Sequence, residues 1–251
     1  MPTYHAAMTP ALRALAGLMA ALSLSACQKA DDAAFGRRVH AYLMAHPEVI
    51  REAAVKLNEN DRLAAMKAST DAIDKYRGQL ERDTRDFVAN PDGKITVVEF
   101  FDYRCGYCKL AAPDVVKLIA ENPDVRFVFK EFPIFGEVSD TAAKVALTRE
   151  GKAKGIDLYK ALMADKALDD AALDRHLAEV GIDATAAHKD AGNPMIARQL
   201  LDTHALAEAL KIDGTPAFIV GNTMIPGADM AALRAAIAAA RGGTGPAKTS
   251  S

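Results

Sequence analysis

Apolar residues recur at helical spacing from Phe35 onward: Val39, Tyr42 and Leu43, then, past Pro47, Val49, Ile50, Ala53, Ala54 and Leu57. A proline costs nothing in the first turn of a helix, where its missing N–H would be unpaired anyway. The stripe thins through Leu63, Ala64, Ile73, Tyr76 and Leu80 among many charges, and the pattern predicts helix over 33–88. That segment has no second layer of its own, so its stripe must be covered by the main domain or by other copies of the chain. Asn90-Pro91-Asp92-Gly93 predicts a turn. The period then changes. KITVVEFFD, Lys94–Asp102, is mostly apolar and β-rich, as expected of a strand buried on both faces. A helical stretch follows over Gly106–Ala120, and Val125–Phe132 predicts a second strand. No strand pattern interrupts 139–210, where Asp140–Arg149, Asp157–Leu162, Asp170–Val180 and Pro194–Leu210 predict successive helices. Ala217–Val220 and Thr223–Ile225 flank Gly221-Asn222, a two-residue hairpin signal. Ala228–Arg241 predicts a last, alanine-rich helix.

Strand, helix, strand suggests a βαβ unit with parallel strands. Followed by a helical block, a hairpin and a final helix, it predicts an α/β protein of thioredoxin-like layout. The helical domain is inserted at about 139–210, and a helical extension precedes the whole.

The ends of the chain bear on compartment. Arg13 precedes a charge-free, Ala- and Leu-rich run over Ala14–Ala26, the layout of a secretory signal peptide. The run is shorter than the roughly 20 residues of a spanning helix. Leu24-Ser25-Ala26-Cys27 resembles a bacterial lipobox, which implies that Cys27 becomes the N-terminus and carries lipid. The alternative is an ordinary signal peptide with a cysteine nearby. Gln28, where an Asp would resemble an inner-membrane retention signal, leans towards the outer membrane. The expected organisation is a lipoprotein signal peptide at 1–26, a lipidated tether at 27–34, a helical segment at 35–89, a thioredoxin-like domain at 90–241 and a disordered tail at 242–251.

Half the residues are apolar, a quarter are charged, and the net charge is −2, with Lys and Arg spread along the chain. A nucleic-acid partner, which would call for a basic patch or stripe, is not expected.

Two of the three cysteines stand in Cys105-Gly106-Tyr107-Cys108, between the first strand and its helix. Unpaired N–H groups at a helix start favour a thiolate, the reactive form of cysteine. Cys105 is therefore expected to be the exposed, low-pKa thiol. Cys108, one turn on, is expected to be more buried and to resolve a mixed disulfide. No cofactor beyond the Cys105–Cys108 disulfide is expected, and no metal. A zinc site usually takes four ligands, and the chain has no second cysteine pair and no closely spaced histidine pair in the main domain. Thr215-Pro216 precedes the hairpin; a cis bond there would set the Thr215 backbone beside the cysteines, where it could hold an extended substrate. Glu99, inside VVEFF, is either buried, with a raised pKa and able to move a proton for Cys108, or faces water at the strand edge. Pro113 should kink the helix that carries Cys108.

The run E-F-F-D-Y-x-C-x-Y-C at 99–108, the Gly-Thr-Pro at 214–216 and the helical block between them resemble the DsbA-like branch of the thioredoxin superfamily. The resemblance covers about residues 90–241. It implies that Glu99 is a buried acid, Cys105 and Cys108 the redox pair, and Pro216 a cis-proline with Thr215 beside the disulfide. Lys130 is a candidate for the family's charged group near that acid. Gly106-Tyr107 and Thr215 depart from the strongly oxidising members and are similar to the isomerases, which implies a less oxidising couple. HAYLMAHPEVIREAAVKL resembles the start of ScsC-like proteins, in some of which the extension forms a trimer and the protein acts as an isomerase. The resemblance implies a periplasmic, lipid-anchored thiol–disulfide oxidoreductase acting on exported proteins, reset by a membrane redox partner and able to form a dimer or trimer through 35–89. Isomerase or reductase is favoured. A dithiol oxidase is one alternative, a Cu(I)-binding copper-tolerance protein another, and a structural lipoprotein with a vestigial site a third.

Overall fold

A computed structural model describes residues 32–243. The leader, Cys27, most of the tether and the last eight residues lie outside the described residues. The chain divides into two units, with the boundary at Ala64.

In the first unit, helix α1 covers 32–45; helix α2, Glu48–Glu81, begins there just after Pro47 and continues past Ala64. None of residues 32–64 is buried, and Phe35, Tyr42, Met44, Ile50, Val55, Leu57 and Leu63 are exposed. The part of the predicted stripe from Phe35 to Leu63 is exposed on these helices, whereas its Ile73 and Leu80 are buried.

The second unit is built on a five-stranded sheet. Its strands are β1 (Phe87–Ala89), β2 (Ile95–Phe101), β3 (Val125–Glu131), β4 (Ala217–Val220) and β5 (Thr223–Pro226), in the order β1-β3-β2-β4-β5. Only the central β2–β3 pair is parallel, joined by helix α3, Gly106–Glu121. The strand at 87–89 corrects the expectation of helix to residue 88. The helix ends at Glu81, and a three-residue edge strand is too short to carry a readable period. Gly93 follows because a Cβ there would lie 2.4 Å from the backbone nitrogen of Arg126.

Alternation along the strands gives each sheet face its own core. Val98, Phe100 and Val128 point to a face covered by Ile73 and Leu80 of α2 and by Leu206 and Leu210. Val97, Phe101, Phe127 and Phe129 point to the other, with Val115 of α3, Leu233 and Ile237 of the last helix, and the inserted helices. The insertion comprises α4 (Glu137–Ala146), α5 (Arg149–Ala153), α6 (Gly155–Ala164), α7 (Asp170–Glu179), α8 (Ala184–Ala191) and α9 (Pro194–Ala209), and α10 is Met230–Arg241. Several of these helices start where short polar side chains satisfy free N–H groups. Asp169, Asp183, Asn193 and Asp229 each accept from the first turn of the following helix. Helix α8 escapes sequence reading because eight alanine-rich residues show little periodicity. No helix among the described residues is long and apolar enough to cross a membrane.

Candidate active site

β2 carries the chain to the site and α3 starts there. Asp102 Oδ1 accepts the Arg104 N–H at 2.6 Å, and the Asp102 carbonyl accepts the Cys105 N–H at 3.1 Å. An Asp bonding to the backbone two residues on is a turn former, and here the turn delivers Cys105 to the N-cap of α3. The same Asp102 carboxylate, 2% exposed, accepts the N–H groups of Ile134 and Phe135 at 2.7 and 3.0 Å and the Ser139 hydroxyl at 2.8 Å. It therefore ties the loop after β3 to the cysteine turn. Arg104 adds a bond to the Phe135 carbonyl at 2.8 Å. Ile134 and Phe135 are exposed on that loop, and Tyr107 and Leu110 are exposed on the first turn of α3.

Both cysteines are free thiols. The Thr215–Pro216 bond is cis, and the Cys105 Sγ donates to the Thr215 carbonyl at 3.1 Å. Cys105 and Thr215, 110 residues apart in sequence, are thus brought together, with Pro216 next to Thr215 across the cis bond. Cys105 is only 2% exposed, which corrects the expectation of an exposed thiol. The Thr215 segment lies against it, whereas Gly106 and Tyr107, the two residues that follow it, face solvent. A hydrogen bond from the Cys108 thiol is the largest influence lowering the Cys105 pKa, to about 5; burial opposes it, while Thr215 and the N–H groups of Tyr107 and Cys108 assist. Burial drives Cys108 the other way, with its bond to Cys105 and the charge of Glu99 adding to the rise. The two thiols are split as an attacking and a resolving cysteine would be.

Glu99 is 1% exposed, so the water-facing alternative does not hold. It pairs in register with Phe129 on the face that holds Cys105, Cys108 and α3. Burial pushes its carboxyl up to about 8, against a hydrogen bond from Tyr159 that favours the charged form. The Tyr159 hydroxyl lies 3.1 and 3.3 Å from the two carboxylate oxygens. Lys130 is not the partner of Glu99. It pairs in register with Phe100, so alternation turns it to the opposite face, where it bonds Asp86 and the Gln79 carbonyl. Sequence reading missed Tyr159, Asp102 and Glu131. The Asp102 turn has a local signature; Tyr159 has none, because only the folding of the insertion sets it against β2.

The model of the DSBA-like thioredoxin domain family matches residues 96–238, and that of the copper resistance protein ScsC N-terminal domain matches residues 31–64. The chain is similar to a thioredoxin-like oxidoreductase from Silicibacter pomeroyi, at 37% identity and TM-score 0.63, covering 66% of this chain and 98% of that one. It is also similar to BcfH from Salmonella enterica Typhimurium, at 32% identity and TM-score 0.69, covering 86% and 98%. Among curated proteins it matches part of the Na(+)/H(+) antiporter NhaA 3 of Salinispora tropica, 26% identical over 194 residues, or 74% of this chain. The chain spans only 29% of that antiporter's length.

Proposed function

The chain belongs to the DSBA-like thioredoxin family, and we propose on that premise that it is a thiol–disulfide oxidoreductase acting through Cys105 and Cys108 on exported proteins. The observation that carries this is the asymmetry of the pair: Cys105, beside Thr215 and with its pKa lowered chiefly by the hydrogen bond from Cys108, next to a buried Cys108 with raised pKa. As a reductant, the Cys105 thiolate attacks one sulfur of a substrate disulfide. The substrate S–S bond breaks, and its other sulfur leaves as a thiolate that takes a proton from water. Cys108 passes its proton to the Glu99 carboxylate and attacks the Cys105 sulfur. The mixed disulfide breaks, the substrate leaves reduced by two electrons, and Cys105–Cys108 is oxidised. The reverse sequence is oxidation of substrate, with neutral Glu99 returning the proton to Cys108. In isomerisation a second substrate thiol attacks the mixed disulfide instead, and no net electrons move. The disulfide itself is the redox group, so no other cofactor is invoked.

Within this chemistry we favour isomerase or reductase. A Cys105 pKa of about 5 lies between about 3.5 for the strongest oxidant of the fold and about 7 for thioredoxin. The open apolar stripe on residues 35–63 supports self-association, and several active sites on one particle would let a substrate be re-engaged before it escapes. The leader and Cys27 support a lipid-anchored periplasmic setting, with a membrane redox partner to reset the pair. The test is reactivation of a scrambled-disulfide substrate by the chain from residue 28, by Cys105→Ser, and by a triple variant, Phe35→Glu, Tyr42→Glu and Ile50→Glu, on exposed positions. Activity that needs Cys105, and falls when the triple variant loses its oligomeric mass, supports an isomerase. Rapid oxidation of reduced substrate without reactivation of scrambled substrate sinks that reading in favour of a dithiol oxidase.

A second reading has one observation behind it, the match of residues 31–64 to the N-terminal domain of a copper resistance protein. Two soft thiolates suit Cu(I). Titration of the reduced chain with Cu(I), using Cys105→Ser as the control, separates metal binding from exchange.

A further inference from the structure

β3 places a second acid on the same sheet face as Glu99. Glu131 pairs in register with Phe101, two residues on from the Glu99–Phe129 pair, so both carboxyls point to one side. Glu131 is 6% exposed, and burial drives its pKa well upward. Its Oε1 accepts the Tyr103 hydroxyl at 3.0 Å, but its Oε2 meets no hydrogen-bond partner among the described residues. A buried polar atom without a partner costs roughly 1–3 kcal/mol. Beside it lies a cavity of about 10 Å³, lined by Glu131, Tyr103 and Tyr159 together with the rings of Phe87, Phe101 and Phe129. That is just room for one water, and three polar groups line it.

We propose that Glu131 is a positioning residue for Glu99, acting through one water in this cavity. The neutral carboxyl donates from Oε2 to the water, the water donates to the Tyr159 Oη, and Tyr159 donates to Glu99. Each member has one donor and one acceptor used, so the chain has a single direction and ends on the Glu99 carboxylate, which it stabilises. No proton needs to leave Glu131. It supplies polarity, and Glu99 does the proton exchange with Cys108. This rests on the exchange chemistry proposed above.

The test reads the titration of Glu99 directly, by carboxyl ¹³C NMR of the reduced protein, alongside the pH profile of mixed-disulfide resolution. The titratable groups acting on Glu131 are Tyr103, Asp102 and Glu99, with Tyr159 lining the same cavity and Asp86 across the sheet. Glu131→Leu removes the donor at similar volume. Loss of one hydrogen bond from the chain should raise the Glu99 midpoint by about one pH unit, a tenfold change in proton affinity. Glu131→Gln keeps a donor and should leave the midpoint near the parent's. In Tyr159→Phe the Glu131→Leu effect should vanish, as required of two members of one chain. A Glu99 midpoint unmoved in a folded Glu131→Leu protein overturns the proposal, as does an equal shift in the Tyr159→Phe background. Should Glu131→Leu not fold, a shift in Glu131→Gln as large as one pH unit overturns it on its own. If the midpoint moves as expected while Glu99→Gln resolves mixed disulfides at the parental rate, the exchange role of Glu99 fails and the hydrogen-bond chain stands.

Discussion

The two faces of the sheet each bury a carboxylate, and the pair differ in what meets them. Asp86 sits with the Lys130 ammonium and the Gln199 amide, whose Nε2 donates to it at 3.1 Å. Burial raises its pKa to about 6, and the attraction of Lys130 holds the rise down. Among the described residues Glu99 bonds only the Tyr159 hydroxyl, and its carboxyl goes up to about 8. A buried acid with a cation keeps its charge and locks elements together; here these are the segment after α2, β3 and α9. A buried acid given only a phenol sits near neutrality and can trade its proton. Adjacent positions of β3, Phe129 and Lys130, pair in register with Glu99 and Phe100, so one residue of alternation separates the exchanging acid from the cation that holds the structural one.

The largest effect should come from breaking the pair on the structural face. Lys130→Met leaves Asp86 buried without its cation and should cost about 3–5 kcal/mol of stability, measured by denaturant unfolding, while the Cys105 pKa stays put. Glu99→Gln should do the reverse. Resolution of a mixed disulfide at neutral pH should slow roughly 10²-fold in stopped-flow, with no loss of stability.

The sign of its stability change follows from linkage. A carboxyl raised in the folded state, ordinarily near 4.5 and here about 8, penalises folding above its unfolded pKa. The penalty is absent below about 4.5, grows as pH rises to about 8 and is complete beyond. Glu99→Gln should therefore be the more stable protein at pH 9, by on the order of a few kcal/mol, and lose that advantage by pH 4. Unfolding curves across that range check the sign. For Asp86 the same argument makes the penalty grow from 3.8 to about 6 and stay in full above that.

Asp102→Ala should act on neither buried acid. It releases the bonds to Ile134, Phe135 and Ser139, so the KM for a disulfide-bonded peptide should rise several-fold, the equivalent of about 1 kcal/mol, with the Glu99 midpoint unchanged. The smallest effect should come from Lys67→Ala, which removes an exposed pair with Asp71 on α2 and should shift stability by less than about 0.5 kcal/mol.

What the sequence determined by itself was local. The cysteine pair between a strand run and a helix run, the apolar setting of Glu99, the hairpin about Gly221 and the succession of helices after residue 139 are each written within a few consecutive residues, because backbone period and turn chemistry act over that range. Only the tertiary structure decided which residues meet. It paired Lys130 with Asp86 rather than Glu99, set Tyr159 of the insertion on Glu99 and Thr215 over Cys105, made a sheet edge of Phe87–Ala89, and left one oxygen of Glu131 facing a small cavity. Those meetings depend on strand register and helix packing between segments tens of residues apart. A single residue of register reverses the face a side chain occupies, and no local pattern records which neighbour waits there.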